Sequence, residues 1–365
     1  MKNPLAAHPP WRQLLIVSIV LPLLIALAVL AFAWPAARMR PRNVPVGIVG
    51  STPGSEQLLE RLSAAQPGAF DFRLYADRSA ARAAVADRDV YGAFVVTAHR
   101  ISVLEASASS PAMAQVLDTV GRSLTADQSA PAGGTDALQI VDVVPLARDD
   151  PRGAVFAASL LPLTICSILV AAAVGVVVRF RPAWRQLVAL SVLSAMAGLG
   201  SYLIAQGFLG ALPNQPLATW AGLSLTILAI SASTSGLIAL VGPLGLGLAA
   251  VLMVFIGNPF SGVTSAPELL PDWVRLVGQW LPPGAGANLL RSSAYFGGDG
   301  AAAHLGVLVV WAALGFAAII LGHHSPIRFA ADPAGWRAST PQLVSVSPAM
   351  PRTGAARPSE VQTPG

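Results

Sequence analysis

Residues 217–256 read LATWAGLSLTILAISASTSGLIALVGPLGLGLAAVLMVFI, a run of 40 residues without one ionisable side chain. A single membrane-spanning helix needs about 20 apolar residues, so this run is too long for one span and suits two. We predict that a tight turn joins the two spans at Ser233–Gly236, with Gly242–Pro243 as the alternative, because glycine and proline interrupt helices. The run indicates an α-helical integral membrane protein.

Four other segments have the length and composition of membrane spans. They are residues 14–34, 154–178, 186–208 and 301–321, and His304 is the only histidine or charged residue in them. With the two spans above, the sequence predicts six transmembrane helices. The composition agrees, because 11% of the 365 residues are charged, against roughly 25% in soluble domains. An ordinary soluble enzyme is therefore excluded, and the net charge of +5 forms no basic stripe that would bind nucleic acid.

The placement of arginines predicts the orientation of the spans. Three of them lie in the short link between the second and third spans: Arg179, Arg181 and Arg185. Cytoplasmic links are enriched in arginine and lysine, so we expect both termini on the cytoplasmic side. The arginines at 38, 40 and 42 follow the first span on the outer side, but long segments translocate largely regardless of charge.

The first span has a second interpretation. Ala31-Phe32-Ala33 resembles the small-residue cleavage site of a signal peptide. Its apolar core of about 20 residues exceeds the 7–15 residues typical of signal peptides, so we expect a retained anchor. The domain boundaries are then an N-terminus with the first span at 1–34, an outer domain at 35–153, a five-helix membrane domain at 154–322 and a disordered cytoplasmic tail at 323–365.

The segment 35–153 has the composition of a small extracytoplasmic α/β domain. Alternation and turn signals predict strands at 44–49, 70–75, 90–97, 101–106 and 138–144, and helices at 55–65, 78–86 and 112–124. No phosphate-binding Gly-Lys-Ser/Thr loop, zinc-binding His-Glu-x-x-His motif or Gly-x-Ser-x-Gly motif occurs in the chain. We therefore predict a protein that is not an enzyme, with no metal and no cofactor. Four glycines in the spans are predicted to permit close helix packing: Gly198, Gly200, Gly245 and Gly247.

Residues 258–300 predict an outer hairpin before the last span. Asn258-Pro259 is expected to break the fifth helix. Residues 271–281 then predict an amphipathic helix, with Trp273 and Trp280 on its apolar face and Asp272, Arg275 and Gln279 towards the other face. Pro282–Gly284 is expected to end that helix, and a second helix is predicted from Gly286 to Tyr295.

This hairpin is the candidate gate or cargo-facing lip. Its candidate residues are Asn258, Trp273, Arg275, Trp280, Asn288 and Arg291. Arg291 is expected to meet a cargo headgroup or an acidic partner such as Asp272. The alternative is a static cap in which Arg291 is an anchor whose charge reaches the membrane surface.

Four short segments accompany the layout of one anchor span, an α/β domain and five clustered spans. They are Val44–Gly50, Val90–Thr97, Asp149–Gly153 and residues 281–298, the last of which contains Leu281–Asn288, Leu290-Arg291 and Tyr295–Gly298. In these segments and in its layout the chain resembles the type 2 ABC exporter permeases, particularly the phage-infection-protein-like branch of that superfamily. The resemblance covers most of residues 10–322.

The resemblance implies a permease subunit in the bacterial plasma membrane that moves a hydrophobic or amphipathic cargo. It also implies a separate ATP-binding subunit and a homodimer, or a heterodimer with a related permease. In the family the link after the second span contacts the ATPase, which here corresponds to Arg179, Arg181, Trp184 and Arg185. Alternatively, these arginines only hold the topology and bind anionic headgroups.

Two other functional classes are open from the sequence. The chain could be a membrane-anchored receptor or scaffold whose outer domain binds an envelope or phage partner. An intramembrane enzyme is disfavoured, because catalysis in lipid needs buried ionisable groups that the spans do not contain.

Overall fold

The computed structural model describes residues 11–49, 53–97, 100–126, 138–178, 181–212 and 215–323. The predicted tail at 323–365 therefore lies outside the described residues except for its first residue, and so does most of the loop before the last strand. The first helix, α1 (Trp11–Ala37), is followed by a sheet domain, defined here as residues 44–142, and then by a helical domain.

The sheet domain contains five strands and three helices. In chain order these are β1 (Val44–Val49), α2 (Pro53–Ala65), β2 (Phe70–Tyr75), α3 (Arg78–Ala86), β3 (Gly92–Val96), β4 (Ile101–Glu105), α4 (Pro111–Ala126) and β5 (Leu138–Asp142). The bounds predicted for β1, β2 and α3 are confirmed. The strands predicted at 90–97 and 138–144 are shorter, because they end where their ladder partners end.

The sheet has the strand order β2-β1-β3-β4-β5. β1 runs parallel to β2 and β3, β3 pairs antiparallel with β4 in the predicted hairpin, and β4 runs parallel to β5. The interior strand β1 is almost wholly buried, as expected for a strand with neighbours on both edges and helices on its faces. A sheet of this kind forms two cores, one on each face.

Both cores contain residues from the far end of the chain. Ala266 and Leu269 pack with Val44, Phe94 and other residues on one face of the sheet. Phe296 packs among residues of the other face. The segment 258–300 is thus part of both hydrophobic cores of the sheet domain, and it fixes that domain to the helical domain.

The helical domain begins with α5 (Ala154–Val177) and α6 (Ala183–Tyr202), whose last turns continue as a π-helix (Leu203–Phe208). α7 (Pro216–Val241) follows, and it is the most buried of the long helices. α8 (Leu244–Ala250) continues through a second π-helix (Val251–Gly257) into α9 (Asn258–Phe260). After a 3-10 turn (Pro267–Leu269), the chain forms α10 (Asp272–Trp280), α11 (Pro282–Tyr295) and α12 (Ala301–His323).

Within the described ranges, five helices are long and apolar enough to cross a membrane: α1, α5, α6 with its π-helical extension, α7 and α12. The predicted fifth span is a shorter apolar helix, Leu244–Phe260. At 1.5 Å per residue its length is about 25 Å, against roughly 30 Å for the hydrocarbon core. The chain is therefore a multi-pass membrane protein with five helices of spanning length and one shorter apolar helix.

The preferred turn at Ser233–Gly236 is wrong, and the alternative at Gly242–Pro243 is correct. α7 continues through the serine-rich segment because Ser233 Oγ donates to Ala229 O at 2.6 Å and Thr234 Oγ1 donates to Ile230 O at 2.7 Å. These hydroxyls bond within the helix and do not start a turn. The helix ends at Gly242, whose φ of 70° is strained for residues with a side chain.

Small residues allow α7 and α12 to pack closely. A Cβ on Gly315 would lie 2.4 Å from the carbonyl carbon of Ala232, so this position accepts only glycine without movement. The predicted packing role is confirmed for two of the four glycines, Gly198 and Gly245. A Cβ on Gly198 would lie 2.2 Å from Ser224 Oγ, and a Cβ on Gly245 would lie 2.3 Å from the carbonyl carbon of Leu237. It is wrong for the other two, Gly200 and Gly247, which face open space.

Candidate functional site

The 258–300 hairpin starts later than the sequence suggested. Asn258-Pro259 does not break the helix, which continues to Phe260. Asn258 Nδ2 donates to Met253 O at 3.2 Å, a carbonyl five residues earlier, so the side chain supports the end of the π-helical stretch. The helix ends at Ser261, whose Oγ donates to Asn258 O at 2.6 Å and accepts from Val263 N at 3.2 Å.

α10 keeps its predicted apolar surface exposed. The side chains of Trp273 and Trp280 are 55% and 64% exposed, and Arg275 pairs with Asp272 at 3.5 Å beside them. The Trp273 ring also lies 5.5 Å from the Trp34 ring at the end of α1. α10 therefore presents aromatic residues at the surface and joins α1 to the hairpin.

The helix predicted from Gly286 begins four residues earlier. Pro282 is the first residue of α11, a position where proline loses no hydrogen bond and its fixed φ suits the helix. α10 lies backbone to backbone against α9, since a Cβ on Gly278 would lie 1.8 Å from Phe260 O. α11 lies equally close to α10, since a Cβ on Gly284 would lie 2.1 Å from Gly278 O. The hairpin is a closely packed unit.

A partly buried hydrogen-bond network, here called the junction network, connects the sheet domain to this hairpin. Its members are Arg88, Gln279, Asn288 and Ser292. Arg88 donates to Ser292 Oγ at 2.5 Å and to Asn288 Oδ1 at 3.0 Å. Asn288 Nδ2 donates to Gln279 Oε1 at 2.6 Å, and Gln279 Nε2 donates to Ser261 O at 3.0 Å. A chain of bonds thus runs from the loop after α3 to the end of the 244–260 helix.

The backbone at Arg88 is strained to make this contact. Its φ is 64°, a left-handed conformation that costs about 1 kcal/mol or more for a residue with a side chain. The guanidinium also lies 5.3 Å from the centre of the Phe296 ring. Burial lowers the pKa of Arg88, although the nearby Tyr91 and Glu268 partly oppose this change.

Tyr91 and Glu268 form a second link between the sheet domain and the hairpin. Tyr91 Oη donates to Glu268 Oε2 at 2.5 Å. Burial and the neighbouring carboxylate raise the pKa of Tyr91 well above its ordinary value, so the phenol keeps its proton. This contact pairs a neutral donor with a carboxylate that also faces the buried arginines.

Arg291 is buried, with 4% of its surface exposed. It donates to Val263 O at 3.1 Å, and its guanidinium carbon lies 5.1 Å from the centre of the Phe156 ring. The expected pair with Asp272 is wrong, because Asp272 pairs with Arg275. The alternative of a surface anchor also disagrees with this burial. Arg291 instead joins the hairpin to the first turn of α5.

The candidate coupling loop lies at the opposite end of α5. Arg179 lies outside the described residues. Arg181 is exposed, Trp184 is 60% exposed, and the Arg185 guanidinium lies 5.4 Å from the centre of the Trp184 ring. An exposed aromatic ring stacked with a cation offers both apolar area and positive charge to a partner.

An apolar cleft of about 490 Å³ lies between α5, α6 and α7. Leu160 and Cys166 line it from α5, Ala205 from the π-helical end of α6, and Leu223 and Ile227 from α7. A smaller cavity of about 300 Å³ lies between α1, α5 and the hairpin. Ligand pockets commonly have volumes of roughly 300–1,000 Å³.

One carboxyl group in the sheet domain has an unusual environment. Glu105, at the end of β4, is buried, and its Oε2 has no hydrogen-bond partner among the residues that the structure describes. Burial, followed by the charges of Asp118 and Asp142, raises the pKa of Glu105 to about 8. The folded protein therefore holds a proton here that an ordinary glutamate would lose near pH 4.5.

Sequence reasoning placed Asn288 and Arg291 in the site but missed Arg88, Tyr91, Glu268 and Gln279 as contact residues. Arg88 and Tyr91 are about 200 residues away from their hairpin partners along the chain, and no local pattern marks them. The sequence predicts Gln279 on the polar face of α10, and in the structure its side chain turns inward to the junction network. Of these four residues, only Gln279 had a signal in the sequence, namely its position as a polar residue on a short amphipathic helix.

The fold and this site define a multi-pass membrane protein whose sheet domain is fixed to a hairpin between the fifth and last apolar helices. Residues 12–140 match the family described as ABC-2 family transporter protein. This match, together with the apolar helices, supports a membrane transport component of the ABC-2 permease superfamily. Such permeases are not themselves catalytic enzymes, and the family implies an ATP-binding partner subunit. A receptor or scaffold is not favoured by this match. No curated protein and no solved structure matches the chain.

Proposed function

We propose that the chain is the permease subunit of an ABC-type exporter of the phage-infection-protein-like branch. It moves a hydrophobic or amphipathic cargo and is powered by a separate ATPase. The match over residues 12–140 is the observation that carries this proposal. The charge-poor helices and the apolar cleft support a cargo with a substantial apolar part.

The proposed topology places six spans in the bacterial plasma membrane, with the sheet domain outside and both termini in the cytoplasm. The 244–260 helix is the fifth of these spans in chain order and brings their number to six. Its first turn contacts the end of α7 at Leu237, and its last turn contacts Pro283 in the hairpin, which supports a crossing from one end of α7 to the other. A short span is accommodated by local thinning of the bilayer or by burial among other helices.

Cysteine labelling tests this topology. In a Cys166→Ser background, a membrane-impermeant maleimide applied to intact spheroplasts should label Leu74→Cys, on the exposed surface of β2, and spare Arg181→Cys. Labelling of Arg181→Cys with protection of Leu74→Cys would contradict the proposed orientation.

The proposed gate is the 258–300 hairpin, and the junction network is its connection to the sheet domain. Two cations lie at the contacts of the hairpin: the half-buried Arg88 at its contact with the sheet domain and the buried Arg291 at its contact with α5. A movement of the sheet domain would therefore shift α11 and, through Gln279, α10. Asn258, Trp273, Arg275, Trp280, Asn288 and Arg291 remain the proposed gate residues.

The proposed contact for the ATPase is the link with Arg179, Arg181, Trp184 and Arg185, and the proposed assembly is a homodimer or a heterodimer with a related permease. Purification in mild detergent followed by mass spectrometry should recover an ATP-binding subunit. Trp184→Ala combined with Arg185→Ala should reduce the recovered ATPase, whereas Val192→Ala, on the exposed face of the same helix, should not. Recovery of no ATPase with the unmodified protein would contradict the proposed function.

A further inference from the structure

The α5–α6 cleft is an apolar cavity of about 490 Å³ whose lining contains none of the proposed gate residues and none of the proposed coupling residues, although Leu290 of the hairpin borders it. Its shape follows from how its walls are held. Val174 of α5 and Leu190 of α6 pack with Ile319 at the end away from the sheet domain. The cleft is lined by the first half of α5 and by the end of α6 with its π-helical extension, and Leu223 and Ile227 of α7 lie at its floor. Side-chain packing thus joins the two helices at one end, and the cleft lies at the other.

The cleft is open on the side away from α7. Ser159, Pro162 and Cys166 of α5 and Ile204 of the π-helix line it and are exposed, whereas Leu160, Leu223 and Ile227 at its floor are buried. In a membrane, the exposed faces of α5 and α6 contact lipid because neither helix presents a charge there. The opening between them is therefore a lateral opening to the bilayer.

The lining offers almost no free polarity. The hydroxyl groups of Ser159 and Ser167 donate to their own helix, to Val155 O at 2.6 Å and Leu163 O at 2.7 Å. Among the described residues, no Asp, Glu, Lys, Arg or His lines the cleft. A charged or strongly hydrated ligand would lose its water without replacement here, while an apolar chain would lose nothing.

One wall of the cleft is a local departure from α-helical geometry. α6 changes to a π-helix at Leu203–Phe208, and Ile204 and Ala205 of this segment line the cleft. Gln206 supports the departure, since its Oε1 accepts from Leu212 N at 3.0 Å. Short π-helical segments are frequently found at functional sites, and this one supplies part of the cleft wall.

We propose that the α5–α6 cleft binds one acyl chain of a membrane lipid, which reaches it laterally from the bilayer. The proposal rests on the proposed function only insofar as the lipid is the cargo, and it places the apolar part of that cargo between α5, α6 and α7. The binding itself requires no ATPase.

The test is photo-crosslinking in lipid nanodiscs. The probes are phosphatidylglycerol and phosphatidylcholine that each carry a diazirine near the end of one acyl chain, and adducts are mapped by mass spectrometry. We expect adducts to concentrate on the cleft residues around Cys166 and Ala205, above the level at the lipid-facing Leu169 and Val192. Concentration with both lipids identifies the chain as the recognised group, and concentration with phosphatidylglycerol alone adds a role for the anionic headgroup.

Filling the cleft should remove these adducts. Ala205→Trp should reduce them by about tenfold, a factor that corresponds to about 1.4 kcal/mol of binding free energy. Val192→Trp adds the same indole to the exposed face of α6 and should leave them unchanged. If Ala205→Trp fails to fold, Ala197→Phe fills the same cleft from an earlier turn. Equal adduct yields in the cleft and at Leu169 and Val192, or yields unaffected by both filling variants, would overturn the proposal.

The single cysteine of the chain provides an independent arm. Cys166 lines the cleft and is exposed, so N-phenylmaleimide attached to its thiol occupies the cleft without a substitution. Labelled protein should lose the cleft adducts, and Cys166→Ala treated with the same reagent should keep them. If labelled protein keeps the cleft adducts, the proposed lipid site is wrong. The proposed ATPase partner would not be affected by that result, because co-purification tests it separately.

Discussion

Replacing Arg88 by methionine should loosen the hairpin from the sheet domain. Methionine keeps most of the side-chain volume but cannot donate to Ser292 Oγ or Asn288 Oδ1, the two short bonds of the junction network. Ser292 can turn its hydroxyl to its own helix, but Asn288 Oδ1 is left buried without a donor. Such a group costs about 1–3 kcal/mol.

Two smaller effects oppose this loss. The guanidinium no longer has to be desolvated, and the repulsion between Arg88 and the buried Arg291 is removed. We expect a net destabilisation of α11 relative to the sheet domain of about 2 kcal/mol. Because 1.4 kcal/mol is a factor of ten, hydrogen–deuterium exchange of the α11 amides should accelerate by about 30-fold.

The measurement compares Arg88→Met with Arg82→Met in the full-length protein in nanodiscs. Arg82 is an exposed arginine on α3, and its substitution should change the exchange of α11 by no more than a surface mutation does, within about 0.5 kcal/mol. Equal exchange of α11 in the two variants would refute the reasoning, because it would mean that the network only offsets the cost of burying Arg88.

Three further outcomes are expected. The pKa of Glu105 is about 8 in the folded protein and near 4.5 in an ordinary glutamate, so unfolding between these pH values releases a proton. The unfolding midpoint of the full-length protein should therefore fall as the pH rises from 5 to 8. Glu105→Gln should reduce this dependence on pH, and an unchanged dependence in the variant would contradict the role of Glu105. Gly315→Ala should destabilise the helical domain by about 1–3 kcal/mol through overpacking. Gly306→Ala is the control on the same helix: its added Cβ meets nothing within 4 Å, so it should leave the thermal midpoint unchanged or raise it. Equal thermal midpoints for the two variants would contradict the close packing at Gly315. Arg291→Gln should lower ATP hydrolysis by the purified permease–ATPase complex at unchanged subunit recovery, with Arg122→Gln on the sheet-domain surface as the control, and full hydrolysis in Arg291→Gln would remove that residue from the gate.

Local pattern was sufficient for the elements of the sheet domain. The strands at 44–49 and 70–75 are bounded by turn residues and alternate or bury their side chains within six residues, so their signal is contained in the segment itself. The long apolar helices were equally visible, because the cost of exposing backbone polar groups to lipid forces charge-free runs of a fixed length.

Tertiary contacts decided the features that local pattern could not resolve. Whether Ser233–Gly236 turns or stays helical depends on hydroxyl bonds within α7 and on Gly236 and Gly315 packing against the partner helix. The propensity of serine and glycine for turns gave the wrong answer there, since burial between two helices outweighs an intrinsic preference of about 1 kcal/mol per residue.

The sequence alone determined a charge-poor, multi-span membrane protein with one inserted α/β domain, because lipid solvation and strand or helix periodicity act on consecutive residues. Only the tertiary structure decided that Arg88 bonds to Asn288 and Ser292, that Arg291 is buried against Phe156, and that a cleft opens between α5 and α6. These features join residues separated by up to about 200 positions. Their energies come from burial and hydrogen-bond satisfaction, which exist only once distant segments pack together.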